Sequence, residues 1–205
     1  TDAGVVAIDS TDGDLSTFVM VNNLVDTRVL GEYTVTYDIS DLSGNMGIQR
    51  QRNVSVRDTR RPEMTLVGAV QPEVEVGREY SDAGATAVDA FEGNLTGSIK
   101  VDNQVDTKTP GYYMVLYNVA DSSGNKAEQL VRRVVVVDRL APVITLAGNA
   151  VFKQELKEAY VDLGAQASDN VDGDITAKIE VTNPVNVELN GAYKVKYNVT
   201  DSSGN

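Results

Sequence analysis

The stretch Gly191-Ala192-Tyr193-Lys194-Val195-Lys196-Tyr197-Asn198-Val199-Thr200-Asp201-Ser202-Ser203-Gly204-Asn205 decides how the rest of the chain is read. Tyr193, Val195, Tyr197 and Val199 take one parity, and Lys194, Lys196 and Asn198 take the other. Alternation of apolar and polar side chains with a period of two fits a strand with one face in a core and one in water. The strand then runs into Asp-Ser-Ser-Gly-Asn, whose side chains and glycine favour a turn. The pattern returns 80 residues earlier, with Tyr113, Val115, Tyr117 and Val119 set against Met114, Leu116 and Asn118. It returns once more with Tyr33, Val35, Tyr37 and Ile39 set against Thr34, Thr36 and Asp38.

Working outward, the whole chain repeats at this spacing. Asp2-Ala3-Gly4, Asp82-Ala83-Gly84 and Asp162-Leu163-Gly164 correspond, as do Pro62 with Pro142 and Asp58 with Asp138. Aligned without a gap, 62–125 and 142–205 share 28 of 64 residues. Residues 63–141 make one complete unit, 1–62 a unit without its first strands, and 142–205 a unit without its last strand. The two incomplete units are expected to be completed by sequence outside this window or by strand addition from a neighbouring molecule. Within the complete unit, strands are expected at 64–67, 73–76, 84–88, 95–105, 113–119 and 129–137, parted by Gly, Asn, Asp and Pro. No stretch has helical periodicity. Many short strands in about 80 residues predict an all-β antiparallel sandwich, repeated in tandem.

Composition narrows the function. The 205 residues carry 18 Lys and Arg against 30 Asp and Glu, a net charge of −12, and are 41% hydrophobic. That field repels nucleic acid and anionic membrane surfaces and suits cations. The chain has no Cys, His or Trp, which excludes disulfides, thiolate chemistry and Cys- or His-ligated metals. No apolar run approaches the roughly 18 residues that cross a bilayer, so no direct membrane insertion is expected. Without His or Cys a nucleophile would have to be built from Ser and Lys or from paired carboxylates, and the chain reads as a non-enzyme.

Asp172-Gly173-Asp174-Ile175-Thr176, the Gly191–Asn205 run and the joining segment Val135–Leu146 together resemble a bacterial immunoglobulin-like repeat family. That family occurs in large bacterial surface proteins, in accessory parts of insecticidal crystal proteins and beside secreted hydrolase domains. It is similar in style to HYR and cadherin-like modules. The resemblance implies an immunoglobulin-like fold and an extracellular, secreted or cell-surface setting, and no single activity. The second unit departs from the pattern, with Phe91-Glu92-Gly93-Asn94 in place of the Asp-Gly-Asp turn.

The chemistry-bearing residues are acidic. Asp169, Asp172 and Asp174 crowd one turn, Asp89, Glu92 and Asn94 the corresponding one, and Asp9, Asp12 and Asp14 the first. In a sandwich of this kind the loop after the second strand and the loop between the last two strands emerge at one end. The chain enters from the preceding unit at that same end. Asp138, Asp169, Asp172, Asp174, Asp201 and Asn205 are therefore expected to converge at one seam, and Asp58, Asp89, Glu92, Asn94, Asp121 and Asn125 at the other. Carboxylates packed together call for a cation, and an all-oxygen donor set fits calcium better than zinc, copper or iron. The bland reading is that Asp, Asn, Ser and Gly simply form turns.

The recurring Tyr of Gly-x-Tyr reads as scaffold, bonding back to the backbone at a corner. Arg52 and Arg132 share the parity of core valines, and an exposed guanidinium at the sheet edge is the favoured reading over a partly buried ion pair. Together these features predict a structural segment, a stalk, adhesin or part of an extracellular assembly, stiffened by calcium where neighbouring repeats meet. Lateral contact with other copies is the other partner expected. The alternative is a carbohydrate- or ligand-binding accessory module of a secreted enzyme, with Phe91 and Tyr112 as its available aromatics.

Overall fold

A computed structural model describes residues 2–205, and among them every regular element is a strand or a three-residue 3-10 turn. No helix among the described residues is long and apolar enough to cross a membrane. The first repeat contributes β1 (Ile8–Asp9), β2 (Gly13–Asp14), β3 (Met20–Asn22), β4 (Gly31–Asp38) and β5 (Arg50–Val56). The second contributes β6 (Glu63–Leu66), β7 (Glu73–Glu75), β8 (Ala85–Asp89), β9 (Gly93–Asn94), β10 (Lys100–Asn103), β11 (Gly111–Asn118) and β12 (Leu130–Val137). The third contributes β13 (Val143–Leu146), β14 (Ala165–Asp169), β15 (Gly173–Asp174), β16 (Glu180–Thr182) and β17 (Lys196–Asn198).

These elements fall into two compact units. One takes the residues up to Glu63 together with Val88–Gly97 and Ala120–Ala127. The other takes Met64–Ala87, Ser98–Val119 and Glu128–Asn205.

In the first unit, β3, β4 and β5 form an antiparallel sheet in which Thr34 faces Asn53 and Val35 faces Arg52. Val35 and Tyr37 are buried, on the parity read from the sequence, and Leu15 is buried as well. In the second unit, β10, β11, β12 and β7 lie side by side. Ala85, Val115, Tyr117 and Val134 make the core, with Met64, Leu66, Val74 and Tyr80 packed against it. Each fully buried valine contributes about 1.5–3 kcal/mol by leaving water. Because β6 and β8 face β11 and β12 across this core, the architecture is the two-layered immunoglobulin-like sandwich.

In the third repeat the strand expected over 193–199 is regular only at Lys196–Asn198, and Tyr193 is 36% exposed. Two details of the complete unit also depart from the expected elements. The predicted strand 95–105 is broken by a 3-10 turn at Thr96–Ser98, leaving β10 as its strand portion. The cause is local: Asn94 Oδ1 accepts the Thr96 N–H at 2.9 Å, and Asp14 and Asp174 do the same for Ser16 and Thr176 at 2.9 Å each. A side chain that takes the backbone N–H two residues on diverts the chain into a turn. The second departure is that β7 runs parallel to β12, pairing Val74 with Val136.

The tyrosine corner is present in all three repeats. Tyr33, Tyr113 and Tyr193 donate to the carbonyls of Val29, Thr109 and Leu189 at 2.9, 2.9 and 3.0 Å. The arginine reading needs correction. Arg132 is 1% exposed and pairs with Asp82 at 2.5 Å, while it also donates to the carbonyls of Gly84 and Val67. Tyr117 and Tyr80 donate to the same Asp82 carboxylate at 2.6 and 2.8 Å, and the guanidinium lies 5.8 Å from the Tyr117 ring centre. Arg52, Asp2 and Tyr37 repeat the arrangement in the first unit. Inward parity on a central strand carries the guanidinium into the core, where only a fully partnered charge is tolerated.

Candidate metal centres

Of the acidic residues picked out by spacing, the structure gathers Asp58, Asp89 and Asp121 into one group and Asp138, Asp169 and Asp201 into another. In each group, one carboxylate oxygen from every residue lies within 4.8 Å of the others. The first group belongs wholly to the first compact unit and the second wholly to the second.

The local chain geometry explains how each carboxylate is aimed. Asp89 closes β8, and its Oδ1 accepts the N–H groups of Phe91 and Glu92 at 2.7 and 3.0 Å. Those two bonds make the turn into β9 and hold the carboxyl below the usual carboxylate range, with the Arg60 charge adding to the effect. They also leave Asp89 Oδ2 buried without a hydrogen-bond partner, on a residue only 3% exposed. Asp121 Oδ1 and Oδ2 accept the backbone and side-chain N–H groups of Asn125 at 2.7 and 2.8 Å. Asn125 Nδ2 reaches on to the Asp58 carbonyl at 3.2 Å, so this amide joins the loop after β11 to the segment after β5. Asp58 Oδ2 is likewise buried and unpartnered, and its Oδ1 accepts the Arg60 N–H at 3.0 Å.

The second group repeats this design. Asp169 Oδ1 accepts the N–H groups of Val171 and Asp172 at 2.8 and 2.9 Å, and its Oδ2 is buried without a partner. Asp201 is held by Asn205, whose Nδ2 also donates to the Asp138 carbonyl at 3.1 Å. Burial works against the Asp201 carboxylate, but the Asn205 donors and the loop N–H groups outweigh it and keep the pKa lowered. One difference stands out: Asp138 Oδ2 accepts the Ser203 hydroxyl at 3.2 Å.

The remaining acids point elsewhere. Glu92 accepts the N–H and the hydroxyl of Ser122, Asp172 those of Ser202, and Asp12 the N–H of Leu42. Each clasps the turn after the second strand to the loop after the penultimate one. Asp172 is also paired with Lys178 at 3.0 Å, and both contacts hold its pKa down. Asp14, Asn94 and Asp174 accept the N–H groups of Ser16, Thr96 and Thr176, the first residues of the 3-10 turns. Asn125 and Asn205 present N–H donors, so they latch the carboxylates in place. In the first repeat Asp9 holds Thr11 and Asp12, and Asp41 holds Asn45, but among the described residues neither belongs to a group of three carboxylates. Sequence spacing did not single out Ser203 or the latching role of Asn125 and Asn205; the i to i+4 spacing within Asp-x-x-Gly-Asn was the available signal.

The family model described as the Ig-like domain of bacterial surface proteins matches residues 1–56, 64–137 and 144–205. The chain belongs to this family. Among relatives of this bacterial surface Ig-like chain, the pesticidal crystal protein Cry22Aa of Bacillus thuringiensis is 30% identical over 216 residues, covering 97% of this chain and 28% of that protein. Hyalin of Strongylocentrotus purpuratus is 26% identical over 188 residues, covering 88% of this chain and 16% of hyalin. The chain therefore spans less than a third of the length of either relative. Among solved structures, a lipoprotein of Bacteroides thetaiotaomicron is similar with a TM-score of 0.35 and 23% identity, over 42% of this chain and 45% of that one.

Chemically, each group of three carboxylates in this Ig-like chain offers oxygen donors alone. Three like charges held so close raise one another's energy, and a buried oxygen without a donor adds the cost of its lost hydration. A calcium ion relieves both, since it takes six to eight oxygens at tolerant geometry and can draw on second carboxylate oxygens, carbonyls and water. The donor set fits calcium; it offers neither the nitrogen nor the sulfur that zinc and copper favour.

Proposed function

We propose that this chain is a non-catalytic, extracellular segment of a bacterial surface protein, a stalk, adhesin segment or part of an extracellular assembly, that binds calcium at Asp58/Asp89/Asp121 and at Asp138/Asp169/Asp201. The observation that carries the metal reading is the buried, unpartnered Oδ2 of Asp89 within a cluster of three carboxylates. Ordinary turn formation uses Asp89 Oδ1 and has no need of a second and third carboxylate beside it. The two clusters recur 80 residues apart, where the segment leaving one repeat meets the loops of the next. An ion whose ligands come from both sides of such a joint binds only when both are in place, and so favours one arrangement of the joint. Serial sandwiches joined this way give length without a reaction centre.

The test is thermal unfolding of the full chain with millimolar calcium and then with a chelator. The melting temperature is expected to rise with calcium, and the rise to vanish when Asp89 and Asp169 are both changed to Asn. An identical melting curve in calcium and in chelator sinks the metal reading and leaves the carboxylates as turn formers.

A further inference from the structure

The two carboxylate groups share one local geometry and differ in the charges around it. In each, the residue two places after the linker carboxylate donates its backbone N–H to that carboxylate. Arg60 donates to Asp58 Oδ1 at 3.0 Å, and Leu140 to Asp138 Oδ1 at 3.3 Å. A guanidinium thus stands beside the first group where an apolar side chain stands beside the second, and both residues are exposed. The N–H groups of Glu92 and Phe91 hold the Asp89 carboxyl low, and the Arg60 charge adds to them. The field of Arg60 therefore reaches Asp89, the most deeply buried of the three acids. The second group has cations close by as well, but each is answered by an acid outside the group. Lys178, at the place of Ser98, pairs with Asp172 at 3.0 Å. Arg139, at the place of Thr59, pairs with Glu73 at 2.6 Å. Asp174 adds a negative charge where the corresponding turn has Asn94.

We propose that the two sites fill at different calcium concentrations, Asp138/Asp169/Asp201 first, and that the linker residue at 60 or 140 sets the order. This rests on the calcium reading of the clusters and adds a rank to it. A unit charge roughly 7–10 Å from a divalent ion changes its affinity by about four- to sevenfold when water screens the pair. Arg60 opposes an ion at the first site on that scale, and Leu140 does not oppose one at the second. One contact works the other way: the Ser203 hydroxyl occupies Asp138 Oδ2. That hydroxyl is neutral, rotates about its C–O bond and carries two lone pairs, so it turns an oxygen toward the ion with no charge to overcome. The consequence is graded. The segment leaving the second repeat is pinned at a lower calcium concentration than the segment leaving the first.

Calorimetric calcium titration of the full chain tests this. Asp169→Asn leaves the first site and Asp89→Asn the second, so the two dissociation constants are read separately. The second site is expected to bind about fivefold more tightly than the first. Adding Arg60→Leu, the residue that the second site already carries there, is expected to tighten the first site about fivefold. Adding Leu140→Arg is expected to weaken the second by the same factor. Both substitutions fall at exposed positions, and circular dichroism checks that the fold is kept. The gap should narrow as salt rises from about 0.02 M to about 0.5 M, because screening removes the effect of an exposed guanidinium but not that of a changed ligand set. Equal constants, a tighter first site, or a gap that persists in Arg60→Leu overturns the ranking and leaves the metal reading standing. No heat of binding at either site overturns both.

Discussion

Asp82 and Asp89 stand in the same repeat, both recur at the 80-residue period, and the pKa of each is held low. They differ in what holds them. For Asp82 burial raises the pKa, but the hydroxyls of Tyr117 and Tyr80, the Arg132 charge and the Gly84 N–H together outweigh it. Its charge is answered inside the chain by a guanidinium. Asp89 has backbone donors on one oxygen, nothing on the other, and two more carboxylates for neighbours. One set of groups is electrostatically closed and the other is open. Repetition alone marks a residue as constrained; only the balance of partners separates scaffold from site.

The strongest way to break this comparison is to open the closed set. Arg132→Met removes a buried guanidinium and leaves Asp82 with its hydroxyl donors but no cation. Losing one member of a buried pair costs about 3–5 kcal/mol. The expected result is a melting temperature lowered by well over ten degrees, by the same amount in calcium and in chelator. A loss that calcium repairs would mean that the interior set and the carboxylate cluster are not independent.

The next largest effect should have the opposite dependence on calcium. Asp89→Asn removes one charge from the first cluster, and the new amide can donate to a neighbouring carboxylate. Without calcium the variant is expected to melt at or above the wild-type temperature, because repulsion has been relieved. With calcium it should lose about half of the metal-dependent rise, leaving the part due to Asp138, Asp169 and Asp201. Calorimetric titration should show one calcium site fewer. Equal destabilisation in both media would place Asp89 with Asp82 among the scaffold residues.

The same contrast explains which features are legible in the sequence. Period-two alternation in Tyr113–Val119 located the core strand, because burial on one face leaves a direct trace in residue type. Convergence of the loop acids also followed from topology, since two loops of a sandwich share an end. Which acids meet did not follow. Asp169 and Asp172 are three residues apart on one turn, and a tight turn aims them differently: the first into the cluster, the second toward Ser202 and Lys178. The burial of Arg132 was masked for a related reason. Its parity with Val134 was visible, but its partner Asp82 lies 50 residues away and nothing local announces the pair.

The clasp residues sharpen the distinction within one turn. Glu92→Gln and Asp172→Asn keep an acceptor for Ser122 and Ser202 but weaken it by removing the charge. Each should lower the melting temperature by only a few degrees, and the calcium-dependent rise should persist. If either substitution abolishes the calcium response, the ligand set extends beyond the clustered carboxylates to the acids of the turn.

The smallest effect lies at alkaline pH, in the third copy of the closed set. Asp162 accepts the Tyr197 hydroxyl, and among the described residues this pair has no arginine beside it. The hydrogen bond to Asp162, and then burial, push the Tyr197 pKa up to about 12 from 10.0. A folded-state pKa above the unfolded value means that the neutral hydroxyl is favoured by folding. The stability this gives is complete below the unfolded value and is lost as pH rises through the folded one. Between pH 10 and about 12 the wild-type chain should therefore lose stability steadily, followed by tyrosinate absorbance against melting temperature. Tyr197→Phe should melt slightly lower at neutral pH and flatten part of that slope. Should the slope be unchanged in Tyr197→Phe, the alkaline loss belongs to other groups, and Asp162 is held by its Gly164 N–H alone.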